Sequence, residues 1–300
     1  MIGRRDFIRA TTLAGIGLSL PHGLLHIAES AAAAKVDLAV ATGSSPAKIT
    51  TAAINAMGGI GKFISRGDTV VVKPNMAWDR TPEQAGNTNP EVVATVVKLC
   101  FEAGAAKVKV FDRPVNDPRR CYVQSGIAEA ARALGATVDY VDERKFRDMN
   151  VKGNVLKSWP LYTEVFEADK VINIPIAKHH GLAKLTLSMK NWMGIMGGTR
   201  NRIHQRLDES LVDISMTVKP ALTILDAVRI LTANGPQGGS LSDVKVMNTV
   251  VAGIDQVAVD SFGATLFGMR GSDLGYVRLG AQSGLGVMDL PKLNIHKISV

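Results

Sequence analysis

The chain has 300 residues and a formal net charge of +8, which is enough for one large domain or two intimately packed ones. The basic balance favours anionic partners, but aromatic residues make up only 5% and no basic helix or arm is evident, which argues against nucleic acid. Two cysteines and no Cys-x-x-Cys pair exclude a cysteine-ligated iron–sulfur cluster of ordinary type.

In chain order, Arg4-Arg5-Asp6-Phe7-Ile8-Arg9 is a basic opening, followed by an apolar stretch over residues 10–25 and a small-residue run from Ser30 to Ala34. The Arg-Arg pair followed by x-Phe-Ile-Arg predicts a twin-arginine signal peptide over residues 1–34, although Gly3 stands where Ser or Thr is commoner. Such a segment implies export in the folded state, to the periplasm or as a secreted protein, with the twin-arginine translocase as a transient partner. Sixteen residues broken by Pro21 are too few to span a bilayer, and no later segment is apolar enough; no stable membrane span is expected after cleavage.

The remainder, residues 35–300, predicts one α/β domain. Short β-branched runs alternate with helical stretches: strand 36–41, helix 46–57, strand 69–72, helix 90–103, strand 108–111, helix 123–134 and strand 137–141. Asn89 is the expected N-cap and Pro90 the N1 residue of the second helix. Residues 142–159 are charged and irregular, and read as a solvated excursion or hairpin. Strands 170–176, 222–225 and 249–252 follow, the last leading into a helix over 257–267. Runs buried on both faces and alternating with helices predict a mainly parallel sheet flanked by helices. Cys100 falls among Val93, Val96, Val97 and Leu99 and reads as a buried small hydrophobe; a disulfide with Cys121 in an oxidising compartment is left open.

Polar residues collect where these strands end. Lys73 and Asn75 follow the second strand, Asp112-Arg113 the third, Lys178-His179-His180 strand 170–176, Asp226 strand 222–225 and Asp255 strand 249–252. In an open parallel sheet the carboxyl ends share one edge, and ligands bind there. Asp112 and Asp255 are explained well as turn formers, whereas Lys73 before a proline and a Lys-His-His triplet are not. Residues 178–206 then carry six Lys or Arg, three His and no acid. Within them Gly194, Gly197 and Gly198 lie between Lys190-Asn191 and Arg200, where glycines would let backbone N–H groups approach a phosphate or carboxylate; a mobile basic loop is the plainer reading. His180 with Asp226 and Asp255, or His204, could form a metal shell, although adjacent His179 and His180 on a strand point to opposite faces.

These residues carry a family resemblance. The chain resembles the family called domain of unknown function 362 through four pieces in order. They are Val71-Val72-Lys73-Pro74-Asn75; Lys178-x-His180 running through Thr186 to Lys190-Asn191-x-x-Gly194; Asp226 with Asn234-Gly235-Pro236-x-x-Gly239; and Gly253-x-Asp255-x-Val257-Ala258-Val259-Asp260. They span residues 71–260. The resemblance implies site roles for Lys73, Asn75, Lys178, His180, Lys190, Asn191, Asp226, Asn234 and Asp255. Many relatives carry ferredoxin-like segments, which implies reduction chemistry for them; this chain lacks those cysteines.

The expected function is therefore a basic cleft that binds an anionic small molecule or cofactor, in an enzyme of unassigned reaction. Lys73, Asn75, Lys190, Asn191, Arg200 and Asn234 would bind the ligand, and Lys178 and His180 would move a proton or stabilise charge. A non-catalytic solute- or cofactor-binding protein, or a metal-dependent protein centred on His180, Asp226 and Asp255, are the alternatives.

Overall fold

The computed structural model describes residues 35–300, so the expected twin-arginine segment lies outside the described residues. Strand β1 (Leu38–Thr42) leads through Ser45, whose side chain accepts from Lys48 N–H, into helix α1 (Pro46–Ala56). Strand β2 (Thr69–Pro74) is buried on both faces, and helix α2 (Pro90–Glu102) follows with Asn89 as its N-cap, accepting from Glu91 N–H at 2.8 Å. Strand β3 (Lys107–Val110), helices α3 (Pro118–Gln124) and α4 (Ile127–Arg132), and the short strand β4 (Thr137–Val138) complete the first half. The helix expected over 123–134 is thus two helices, because Gly126 adopts φ 70° between them and breaks the repeat.

The charged stretch after residue 142 forms a hairpin, β5 (Phe146–Asn150) with β6 (Ser158–Tyr162), followed by the one-turn helix α5 (Glu164–Glu167). The strand expected over 170–176 is interrupted at Pro175. Strand β7 (Lys170–Ile174) pairs with β2, and β8 (Ile176–His180) continues beyond the proline against other partners. A proline has no N–H for the ladder, and the break lets β8 turn toward strand β9 (Lys184–Thr186). Short helix α6 (Ser188–Asn191) and helix α7 (Leu207–Thr217) precede two ten-residue strands, β10 (Leu222–Leu231) and β11 (Val244–Gly253). Helices α8 (Gln256–Thr265) and α9 (Gly275–Gln282) and strand β12 (Ile295–Ser299) end the chain.

The main sheet has the order β12-β1-β11-β10-β7-β2-β3-β4. Along this order every pairing is parallel except those of β11, which is antiparallel to both β10 and β1; off it, β8 pairs parallel with β10 and antiparallel with β9. Side-chain alternation divides the core: Val71 packs on one face with Leu225, Leu211, Val257 and Tyr276, while Val70 and Val72 pack on the other with Ile49, Val93 and Val96. The result is an α/β protein with helices on both faces of a mostly parallel sheet. After β2 the chain builds outward through β3 and β4, then returns to place β7 on the other side of β2. That reversal is a topological switch point, where the carboxyl ends of β2 and β7 open a crevice. Cys100 and Cys121 are both free and buried, and burial pushes each thiol up to about 12.

Candidate functional site

The crevice at the switch point is a cavity of about 420 Å³. Among the described residues five basic side chains line it, Lys73, Arg113, Lys178, Lys190 and Arg200, with Asp112 the one carboxylate in the lining; Arg113 is paired from outside by Glu143 at 2.8 Å. The backbone explains how they converge. Lys73 sits at the end of β2, Asp112 and Arg113 just beyond β3, and Lys178 in β8 after the Pro175 break. Lys190 is on α6, and Arg200 opens the 3-10 turn Arg200–Arg206. The start of α6 is held in turn by the buried Asp260 carboxylate, which accepts from Ser188 and Met189 N–H at 2.7 and 2.9 Å.

Lys73 and Asp112 form a buried ion pair, Nζ to Oδ1 2.9 Å, with the other Asp112 oxygen accepting from Met76 N–H at 2.7 Å. Lys73 also donates to the carbonyl and the side-chain Oδ1 of Asn191, at 2.7 and 3.0 Å. The same Oδ1 accepts from Asn75 Nδ2 at 3.0 Å, while Asn75 Oδ1 accepts from Lys178 Nζ at 3.0 Å. An amide relay thus connects the two lysines. Gly194 is required by close approach: a Cβ there would overlap Asp112 Oδ1 and Lys73 Nζ.

Three of the cations have no carboxylate partner among the described residues. Lys178 Nζ bonds Asn75 Oδ1 and the Gly86 carbonyl and stands 6.0 Å from the Trp78 ring. Arg200 donates to the carbonyls of Arg113, Pro114 and Met193. Lys190 Nζ reaches Met193 Sδ at 2.6 Å, and a thioether is a weak acceptor. Lys178 is 1% exposed and Lys190 6%. Burial lowers both ammonium groups to about 7, helped at Lys190 by Arg200 and at Lys178 by Lys190 and Lys73. Both are therefore poised between charged and neutral at ordinary pH.

His180 is held differently. Its Nδ1 accepts from Leu182 and Ala183 N–H at 3.1 and 3.2 Å, so the neutral ring carries its proton on Nε2. Burial, then Lys190, His204, Lys178 and His179, push its pKa down to about 3. The ring thus presents Nε2–H as a donor, which suits the charge-stabilising half of the role expected for His180. His204 stacks near it at 6.1 Å between centroids. His179 instead accepts from Gly235 N–H at 3.0 Å, outside the cavity lining.

Of the residues expected from sequence, Lys73, Asn75, Lys178, His180, Lys190, Asn191 and Arg200 come together in this cavity. Three do not. Asp226 lies inside β10, which runs on to Leu231, and its carboxylate accepts from Asn89 and Val228 N–H at 2.7 and 2.9 Å. It positions the start of α2, and burial raises it to about 6. Asp255 follows an antiparallel strand and so stands at the opposite edge, where it caps α8 through Val257 and Ala258 N–H and also accepts from Val287 N–H. Asn234 is exposed, adopts φ 52°, and donates to Asp243 Oδ2 at 2.9 Å; its neighbour Pro236 lines the cavity instead. The expected metal set of His180, Asp226 and Asp255 is therefore not assembled. Among the described residues no group of three or more His, Cys, Asp or Glu is placed to hold a metal ion.

The glycines also take other work than expected. Gly197 N–H donates to Pro160 carbonyl at 2.7 Å, and a Cβ at Gly197 would collide with Phe146, so this turn docks the hairpin and does not cradle an anion. Trp78 and Met193 in the lining carried no reading in the sequence, Thr186 stood in the family pattern without a role, and Asp112 was explained as a turn former. For Asp112 a signal existed, since it directly follows a strand that neighbours β2.

The fold and cleft thus define an α/β protein with a cationic crevice at the carboxyl edge of its sheet. The chain belongs to the family described as domain of unknown function (DUF362), whose pattern matches residues 70–265. It is 30% identical over 213 residues to a thylakoid-associated protein of Synechocystis sp., a match covering 68% of this chain and 64% of that protein. The match therefore covers somewhat under two thirds of that relative's length. Among solved structures, a Thermotoga maritima protein aligns with TM-score 0.44 at 10% identity, over 80% of this chain and 60% of that one. The lactate racemase apoprotein from Thermoanaerobacterium thermosaccharolyticum aligns with TM-score 0.43 at 10% identity, over 74% and 55%. No ligand or reaction follows from likeness at that level.

Proposed function

We propose that this protein is an exported enzyme whose cleft takes up an anionic small molecule or cofactor, bearing a carboxylate or a phosphate. The observation that carries the reading is that three buried basic side chains, Lys178, Lys190 and Arg200, line a cavity of about 420 Å³ with no carboxylate partner among the described residues. Charges buried without partners are costly, and a ligand anion would offset that cost with short, charge-assisted hydrogen bonds. In this reading Lys190 and Arg200 hold the anion and His180 Nε2–H orients it. Lys178, near neutrality at pH 7, gives or takes the proton, since an acid–base group works best with a pKa near the working pH. Lys73 is occupied by Asp112 and Asn191 and organises the floor.

Export rests on the Arg4-Arg5 opening, and recovery of a chain beginning near Lys35 outside the cytoplasm would test it. The site is tested by native mass spectrometry of the recovered protein, followed by calorimetric titration with a panel of carboxylates and phosphates. A bound anion, lost with Lys190→Met while the circular dichroism spectrum is retained, is the expected result. Unchanged affinity in Lys190→Met sinks the assignment. Full binding with no turnover of any bound compound would leave a solute- or cofactor-binding protein in place of an enzyme.

A further inference from the structure

Charge fills the floor of the cleft, but its walls have another character. Trp78 and Met193 are half-buried beside the lysines, and Pro236 closes a third side. At the mouth stand Val115, 56% exposed, on the loop after β3, and Leu182, 71% exposed, at the turn between β8 and β9. Val115 is set in place by its N–H, which donates to Ala77 carbonyl at 2.9 Å. Two exposed aliphatic side chains in the lining of a cationic pocket are a contact surface for a ligand body.

The polar groups that do line the cleft narrow the choice of head group and body. Thr186 Oγ1 is buried and has no hydrogen-bond partner within the protein, so the floor offers a hydroxyl as well as ammonium groups. The Gly197 N–H that might have cradled a phosphate is bound to Pro160. A sugar or nucleotide body laid on Trp78, Met193 and Pro236 would set hydroxyls against side chains that offer them no strong acceptor, and hydroxyls buried without partners cost binding energy. An apolar body would instead gain from the same surface.

The geometry points to an organic acid with an apolar body, its carboxylate on Lys190, Arg200 and Thr186 and its carbon chain or ring against Trp78, Met193, Val115 and Leu182. This rests on the anion reading proposed above and narrows it to a substrate class. The test is calorimetric titration of the full chain, as recovered from its producing cells, with sodium acetate, butyrate and hexanoate and with glucose 6-phosphate. A buried methylene is worth about fourfold in affinity, so hexanoate should bind on the order of 100-fold more tightly than acetate and more tightly than glucose 6-phosphate. Leu182→Ser, a change at an exposed turn, should weaken hexanoate about threefold to tenfold and leave acetate unaffected. Equal affinity across the carboxylates, or preference for glucose 6-phosphate, overturns the inference while the anion reading stands. Failure of every one of these anions to bind overturns both.

Discussion

Lys190 shows how a single residue divides function from stability. It is almost fully buried, it donates to the Met193 thioether, and Arg200 repels it. An ammonium group so placed destabilises the unliganded fold, and methionine fills a similar volume without charge. Lys190→Met should therefore raise stability by on the order of 1 kcal/mol at pH 6, about 2–4 °C in melting temperature, while abolishing anion binding. The sign with pH follows from its pKa of about 7 in the fold against 10.5 ordinarily. Between those values the unfolded chain holds the extra proton, so the native lysine form gains stability as pH rises. The advantage of methionine is full below pH 7 and fades toward pH 10.5; thermal melts of both proteins across that range measure it, and a constant difference would contradict the burial argument. Asp112 is the converse case, a carboxylate whose removal strands Lys73, so the pair stands or falls together.

At the scale of elements, what could be read in advance depended on whether the signal was local. Asn89-Pro90 marked the start of α2 to the residue, and the valine run fixed β2, because caps and β-branched runs act through neighbouring atoms. Strand direction is not local. The run at 249–252 looked like any other buried strand, yet β11 returns antiparallel along β10 and carries Asp255 to the far edge. Asp226 misled in the same way: an acid after the run Leu222-Thr223-Ile224-Leu225 suggested a strand end, but two backbone N–H groups satisfy it inside a ten-residue strand. The family pattern had grouped these acids with the lysines by sequence, and only the sheet order separates cap from cleft. Asp255→Ala should accordingly cost about 1–2 kcal/mol in urea unfolding through the lost α8 cap, with anion affinity unchanged. A loss of affinity with intact stability would return Asp255 to the site.

For the molecule as a whole, the switch point between β2 and β7 decides where chemistry is placed. Alternating strands and helices made the parallel sheet legible, and the polar strand ends of β2, β3 and β8 pointed to the correct edge. The apolar lips were not legible, since Val115 and Leu182 carry no signal until the loops bearing them are folded over the lysines. Among the described residues no helix is long and apolar enough to cross a membrane.

The depressed basicity of Lys178 and Lys190 has a practical consequence. An amine whose basicity burial lowers to about 7 is more often free to act as a nucleophile at that pH, whereas ordinary lysines are almost wholly ammonium and inert toward acylating reagents. A small activated ester applied briefly at pH 7 should therefore modify Lys190, which faces the cavity, ahead of the surface lysines, and peptide mapping would locate the adduct. Saturating hexanoate should shield it. The cleft would then carry its own covalent handle, by which occupancy can be followed in crude extracts before any turnover assay exists.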